Sequence, residues 1–137
     1  MISILGKNTN PFQENETIEL VTSGRYYKED DSYVITYNES DLTGMSGTTT
    51  SLFVEPSRVT LTRSGQVSTH MIFEKDRKHI SLMDTPEGAL TIGVCAWQVD
   101  SRLDESGGDL KVEYAVEIDH AVAGANSIHV HVKGTVL

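Results

Sequence analysis

The sequence predicts an all-β protein, a single antiparallel meander of about eight to ten short strands closed into a barrel, on three observations. Apolar and polar residues alternate with a period of two along most of the chain, and a helical period hardly appears. Turn residues separate these runs at hairpin spacing, with no room for a crossover helix. An open sheet would leave two exposed edges, which closure into a barrel removes. The same alternation also suits two packed sheets, so a β-sandwich is the alternative.

The alternation is clearest near the C-terminal end, where Leu110, Val112 and Tyr114 face one way while Lys111 and Glu113 face the other. Such one-sided patterning is typical of an antiparallel sheet that covers a core on one face. The bulky residues predicted to point inward are Leu20, Tyr26, Leu52, Leu61, Leu82, Leu90, Ile92, Tyr114 and Val116.

The length and composition predict one domain over residues 1–137. A chain of 137 residues with 38% hydrophobic content is large enough for one core. Residues 1–15 are predicted to be a loosely attached N-terminal strand and loop, because residues 7–15 are polar and contain Pro11. No internal repeat or low-complexity segment is present.

The net charge disfavours several classes of partner. The cysteine content and the lack of a predicted export signal together predict a cytoplasmic protein. A net charge of -9 disfavours nucleic acid and anionic membranes, because both bind through clustered Lys and Arg. The single cysteine, Cys95, cannot form an internal disulfide. The short apolar run at the N-terminus is followed by no cleavage site, so no export signal is predicted.

Several motifs occur in an order that resembles a known family. They are Ser23-Gly-Arg-Tyr-Tyr27, Tyr37-Asn-Glu39, Val59-Thr-Leu-Thr-Arg-Ser-Gly65, Thr85-Pro-Glu-Gly-Ala-Leu90 and Gly108-Asp-Leu-Lys-Val-Glu-Tyr114. Together, from about residue 16 onward, they look like the YwiB-like bacterial domains of unknown function. The resemblance implies a small calycin-like barrel, similar in shape to lipocalins, and a bacterial cytoplasmic setting. It implies no catalytic residues, because the family has none established.

Arg63 is the first candidate binding residue. It shares parity with Val59 and Leu61, so it is predicted to point inward at the end of its strand. An inward arginine at a barrel mouth could receive a carboxylate or phosphate. The preferred interpretation of Arg63 is an internal salt bridge, because buried charges are usually paired. Asp84, which is in phase with Ile80 and Leu82, is the candidate partner and is counted with the candidate site residues.

Three further residues are candidate ligand contacts. Tyr26 and Tyr114 are in phase with inward residues, so their hydroxyls could orient a ligand, although aromatic residues at such positions are more often core. Gln98 continues the parity of Leu90 to Ala96 and would place an amide near the rim.

His129 and His131 are the candidate metal ligands, because residues two apart on a strand point to the same side. They lie opposite an apolar face, however, and no Cys or carboxylate stands at a recognised ligand spacing. Solvated histidines are therefore the preferred interpretation, and no metal or other cofactor is predicted. The sequence also lacks any nucleophile elbow, phosphate loop or dinucleotide motif, so no catalytic residue is predicted.

The sequence thus predicts binding of an apolar or amphipathic small molecule, with an anionic group as one option, in the barrel interior without catalysis. The alternative is a barrel filled by its own side chains that serves as a structural or protein-interaction module. Strands that are apolar on both faces favour this alternative and predict a homodimer. An enzyme acting at the barrel mouth has the least support, because no nucleophile and base can be paired.

Overall fold

The structure is a computed structural model that describes residues 2–9, 16–39, 47–65 and 68–133. Within these ranges the regular structure is entirely β, and no residue is helical. The β-branched and aromatic runs form the strands, as their side chains favour a pleated, half-buried surface. The strands are β1 (Ile2–Thr9), β2 (Glu16–Thr22), β3 (Gly24–Glu29), β4 (Ser32–Asn38), β5 (Thr49–Val54), β6 (Val59–Ser64), β7 (Thr69–Phe73), β8 (Lys78–Thr85), β9 (Gly88–Asp104), β10 (Gly107–Ile118) and β11 (Ala121–Lys133).

These strands form two antiparallel sheets. The first sheet has six strands in the order β2-β1-β11-β10-β9-β8, and the second has five in the order β3-β4-β5-β6-β7. One cluster of buried side chains from both sheets forms the core. Its fully buried members include Ile35, Leu52, Leu61 and Phe73 from the second sheet, and Ile2, Ile92, Leu110, Val112 and Val130 from the first. The prediction of an all-β antiparallel protein is confirmed.

The predicted closed barrel of eight to ten strands is not confirmed, because the described residues form eleven strands in two sheets that are not closed by a continuous ladder. On one side the chain passes between the sheets at Ser23, where β2 ends and β3 begins. On the other side β7 and β8 are linked by an isolated bridge, with Ser68 N donating to Asp84 O at 3.1 Å and Asp84 N donating to Ser68 O at 2.7 Å. This arrangement fits the sandwich alternative as well as it fits a barrel.

The N-terminal strand extends further than predicted. β1 continues to Thr9 and lies between β2 and β11, paired in register with both. The loop expected from Lys7 does not begin there, because the backbone of residues 7–9 continues the pairing with the neighbouring strands. Residues 10–15, including Pro11, lie outside the described residues, and so do residues 40–46.

Two strands differ from the predicted phase. On β8, Ile80 is 59% exposed and Leu82 is 64% exposed, whereas Met83 packs on the core. The prediction that Leu82 points inward is wrong, because alternation defines two faces without defining which one is inner.

On β9, Tyr114 pairs with Ala96 while Glu113 pairs with Gln98, so Trp97 is the extra residue of a β-bulge. The bulge reverses the parity of every residue that follows it.

Candidate functional site

Arg63 lies near the C-terminal end of β6, with its side chain on the face of the sheet that covers the core. Cross-strand pairing places it in one row with Tyr37, Thr50 and Thr69, next to the row that contains Ile35, Leu52 and Leu61. Only 16% of its side chain is exposed. The structure therefore directs Arg63 into the space between the sheets, as its parity with Val59 and Leu61 predicts.

The carboxylate that faces Arg63 belongs to Glu39, not to Asp84. Glu39 Oε1 lies 4.0 Å from Arg63 Nε, and the Glu39 side chain is 2% exposed. Thr50 Oγ1 donates a 2.6 Å hydrogen bond to the same carboxylate oxygen. The backbone amide of Glu39 donates to Thr48 O at 2.8 Å, which anchors the residue just beyond the end of β4.

We call this group the Arg63 cluster, consisting of Tyr37, Glu39, Thr50, Arg63 and Tyr114. The sequence offered one signal for Glu39, since it continues the parity of the inward residues Ile35 and Tyr37. That signal does not identify Arg63 as its neighbour, because the two residues meet only through the pairing of β4, β5 and β6.

Three buried polar atoms at this end of the second sheet have no hydrogen-bond partner among the described residues. They are Thr48 Oγ1, Arg63 Nε and Thr69 Oγ1. Buried polar groups in folded proteins are nearly always hydrogen-bonded, so three in one region mark a site where a further polar atom is required. The separation between Arg63 Nε and Glu39 Oε1, 4.0 Å, is too long for a direct hydrogen bond.

The two tyrosines of the cluster are kept neutral. Burial, followed by the negative charge of Glu39, raises the pKa of Tyr37 well above its usual range, and the charge of Arg63 acts in the opposite direction. Burial also raises the pKa of the Tyr114 hydroxyl, and Arg63 again opposes the shift. Tyr114 Oη accepts a 3.4 Å hydrogen bond from Asn126 Nδ2. Both phenols are therefore neutral groups near Arg63, and the Tyr37 hydroxyl is already hydrogen-bonded to the side chains of Glu39 and Thr50.

Tyr26 is buried but lies away from this cluster. Its hydroxyl donates a 2.6 Å hydrogen bond to Asp104 O, and its ring stacks on Tyr33 at 5.6 Å between centroids. Two strands separate β3 from β6, so Tyr26 and Arg63 stand three strand spacings, or about 14 Å, apart. Burial raises the pKa of Tyr26 to about 12. The structure thus does not bring Tyr26 and Arg63 together around one small head group.

Asp84 and Gln98 lie outside the interior. Asp84 is exposed and shares the outward face of β8 with Ile80 and Leu82.

The Trp97 bulge reverses the parity that Gln98 was predicted to follow. Gln98 pairs with Glu113, and its amide donates to Asp100 Oδ2 at 2.6 Å. Both residues are half-exposed or exposed because of features that a simple alternation does not reveal.

The two histidines converge on a carboxylate on the outer face of the first sheet. His129 Nε2 and His131 Nδ1 each lie 3.0 Å from Asp109 Oδ1. These hydrogen bonds, with His131 contributing most, lower the pKa of Asp109. Among the described residues, no group of three or more His, Cys, Asp or Glu side chains has an arrangement that could hold a metal ion.

Fold and site together define a two-sheet antiparallel β domain with a buried, imperfectly paired arginine in its interior. The chain belongs to a family described as a domain of unknown function (DUF1934), whose model matches residues 2–130. The crystal structure of the YwiB protein from Bacillus subtilis has a TM-score of 0.77 at 21% identity, covering 97% of this chain and 90% of that chain. These findings confirm the YwiB-like resemblance, and at this identity the structural likeness concerns the fold alone.

No protein of curated function matches the sequence. In the described part of the chain, no helix has the length and apolar character needed to cross a membrane.

Proposed function

We propose that this protein binds an amphipathic small molecule whose polar head group contacts Arg63 and Glu39 in the interior. The observation that carries the proposal is the state of Arg63 Nε, which is buried without a hydrogen-bond partner in the described part of the chain and lies 4.0 Å from a buried carboxylate oxygen. An unsatisfied buried donor costs about 1–3 kcal/mol, so an occupant that accepts its hydrogen bond is stabilised there.

The distance between the two atoms suits a bridging group. A single oxygen about 2.9 Å from both Arg63 Nε and Glu39 Oε1 would accept from the guanidinium and donate to the carboxylate. A hydroxyl group or a water molecule can do both. The unpartnered hydroxyls of Thr48 and Thr69 provide further hydrogen-bonding positions at the same end of the sheet.

The charges of the Arg63 cluster limit which chemical class of head group can bind there. Arg63 and Glu39 carry opposite charges, and the neighbouring tyrosines are neutral. A fully anionic head group would meet the Glu39 carboxylate, which Thr50 already holds in place. We therefore favour a neutral head group that both donates and accepts hydrogen bonds, such as a primary amide or a hydroxyl, attached to an apolar body.

The test compares three probes with the same eight-carbon chain: octanamide, octanoate and octylammonium. Binding is measured by saturation-transfer NMR on the wild type, on Arg63→Met and on Arg58→Met. Arg58 is a matched control because it lies in an exposed turn, paired with Glu55 at 3.2 Å. We expect octanamide to bind the wild type and Arg58→Met, and to bind Arg63→Met about tenfold more weakly.

Equal binding of all three probes, or equal binding to both arginine variants, would contradict the proposal. If Arg63→Met does not fold, Glu39→Gln serves instead, because it keeps the shape of the side chain and removes the charge. Octanamide should then lose affinity while octanoate gains it.

A second candidate function, self-association, rests on the outer face of the first sheet. Pairing places Ile80, Gly93, Glu117 and Val122 in one row across β8 to β11. Ile80 is 59% exposed and Val122 is 70% exposed, while Lys78 and Glu117 form an ion pair beside Gly93. A patch whose charges neutralise one another could meet a second copy of the chain without like-charge repulsion.

Light scattering after size exclusion tests this second candidate. If the patch joins two copies, the wild type elutes as a dimer and Ile80→Lys as a folded monomer, because a buried unpaired charge opposes the contact. A wild type that stays monomeric at high protein concentration excludes the homodimer.

A further inference from the structure

A shallow groove crosses the outer face of the first sheet, on the side opposite to the Arg63 cluster. We call it the outer groove, with a volume of about 320 Å³ and a lining that includes Leu5, Trp97, Lys111, Glu113, Ser127 and His129. A second depression of about 280 Å³ shares Leu5 and His129 with it and reaches Glu19 and Val21. A volume of 320 Å³ lies at the lower end of the range for small-molecule sites.

The groove exists because small residues lie between large ones. Ala125 and Ser127 line its inner part on β11. Trp97 lies beside them because it alternates with the buried Ala96 and so faces outward, and the residue remains 47% exposed. Trp97 Nε1 donates a 3.0 Å hydrogen bond to Glu113 Oε2, which fixes the position of the indole. An exposed tryptophan held in place by a carboxylate is a pre-organised platform for a ligand.

Among the described residues, the outer groove is lined by one carboxylate and one ammonium, and the second depression adds another carboxylate. Glu113 lies beside the tryptophan, and Glu19 lines the second depression. The two histidines contact Asp109, so this carboxylate adds to the negative charge nearby. Lys111 is the lining cation, with its Nζ at 3.7 Å from Glu113 Oε1. The net charge of -9 for the whole chain further favours the approach of cations.

We propose that the outer groove binds an amphipathic organic cation, an ammonium group carried on an aromatic or alkyl body. A tryptophan face attracts cations through its quadrupole, and the neighbouring carboxylate supplies a charge-assisted hydrogen bond. Leu5 and Ala125 provide apolar contacts for the body of the ligand. The ligand's ammonium takes the place of Lys111 beside Glu113, and Lys111, whose side chain is 45% exposed, moves into solvent.

The displacement of Lys111 is compatible with binding because exposed ion pairs contribute little to stability. It also gives the proposal a sharp consequence. Lys111→Met removes the competing ammonium, so this variant should bind an organic cation about threefold more tightly than the wild type.

Trp97 makes the test direct because it is the only tryptophan in the chain. Its fluorescence and its indole N–H signal in NMR spectra therefore report on the groove alone. The probes are phenethylammonium, 2-phenylethanol and phenylacetate, which share a ring and differ in charge. The variants are Glu113→Gln, Lys111→Met and the control Glu55→Gln, which alters an exposed turn carboxylate. Gln at position 113 keeps an acceptor for the indole and removes the charge.

We expect phenethylammonium to change the Trp97 fluorescence and the indole N–H chemical shift in a saturable way. Its affinity should be about fivefold or more higher than the affinities of 2-phenylethanol and phenylacetate. Glu113→Gln should remove this preference, and Glu55→Gln should retain it. The proposal is wrong if the three probes respond alike, if no response saturates, or if Glu113→Gln binds the ammonium as well as the wild type does. None of these readouts depends on the Arg63 cluster.

Discussion

At the scale of single residues, the buried pair of Arg63 and Glu39 is the feature that the hydrophobic core explains least. Two charges are removed from water, yet their atoms stay 4.0 Å apart. Burial of an ion pair rarely adds stability, because desolvation offsets the attraction. A pair with long geometry and a donor that has no partner among the described residues contributes still less to stability, and this is the ground of the proposed binding role.

The pair should behave as a coupled unit in unfolding experiments. Arg63→Met and Glu39→Gln are each expected to destabilise the fold by about 2–4 kcal/mol, because each leaves one buried charge without its partner. The double variant should lose less than the sum of the two, as both charges are then gone. Urea unfolding of all four proteins measures this coupling, and strict additivity would show that the two groups do not interact.

The orientation of Arg63 could be predicted from sequence, and its partner could not. Parity along one strand defines the face on which a residue lies, and β6 keeps a regular alternation from Val59 to Arg63. The identity of a neighbour depends on the register between strands, which no local pattern contains. Asp84 was therefore a reasonable but incorrect partner, since its strand carries large apolar residues on the outer face as well.

At the scale of elements, two local features of the backbone matter: the bulge in β9, and the corner at Ser23, where the chain passes from the first sheet to the second. The bulge reverses the phase of Gln98 and so removes an expected interior contact, while Trp97 on the outer face lines the outer groove. The apolar positions of the sequence change phase here, from the even positions of residues 90–96 to Val99 and Leu103, but no glycine or proline marks the extra residue.

The corner requires a glycine immediately after Ser23. A Cβ on Gly24 would lie 2.4 Å from both Ile2 Cδ1 and Thr36 O, closer than any real contact allows. Gly24→Ala should therefore destabilise the fold by about 2 kcal/mol or more, because the two sheets must separate at the corner. Gly93→Ala is the matched control, since its Cβ would meet the flexible side chains of Lys78 and Glu117 at 3.1 Å or more.

Thermal unfolding measures both glycine variants. We expect a clear fall in the midpoint for Gly24→Ala and a change of about 0.5 kcal/mol or less for Gly93→Ala. Equal midpoints for the two variants would mean that the corner tolerates a wider separation than the structure shows.

At the scale of the whole molecule, the interior contains three neutral tyrosines drawn from both sheets. Burial raises the pKa of Tyr26 to about 12 and shifts the pKa of Tyr37 and Tyr114 in the same direction. A raised pKa favours the neutral phenol in the folded state. Its stabilisation is complete below the unfolded pKa of about 10 and is lost as the pH rises toward the folded value.

Stability should therefore fall steeply above about pH 10, with the Tyr26 contribution lost between about pH 10 and pH 12. Urea midpoints measured from about pH 8 to about pH 11 test this, with Tyr26→Phe as the comparison. The variant should be less stable at neutral pH, because it lacks the hydrogen bond to Asp104 O, and its midpoint should fall less between the two pH values. Parallel curves for the two proteins would contradict the assigned pKa.

The two-sheet arrangement was only partly predictable. Alternation and turn spacing indicated antiparallel strands, and those strands are present. Whether the two sheets close into one barrel depends on how β7 pairs with β8. That pairing rests on the backbone hydrogen bonds between Ser68 and Asp84. The pairing of β1 with β11 was likewise beyond the local pattern, because those strands are separated by nearly the whole described chain.

That pairing of β1 with β11 also bears on how the protein is made. As the chain leaves the ribosome, the second sheet can assemble from neighbouring hairpins, whereas β1 can pair with β2 alone. Its other edge stays open until β11, the last of the described strands, emerges. For most of synthesis the first sheet therefore presents an unpaired strand with Ile2 and Ile4 on one face, a surface that a chaperone would recognise or that another nascent chain could capture.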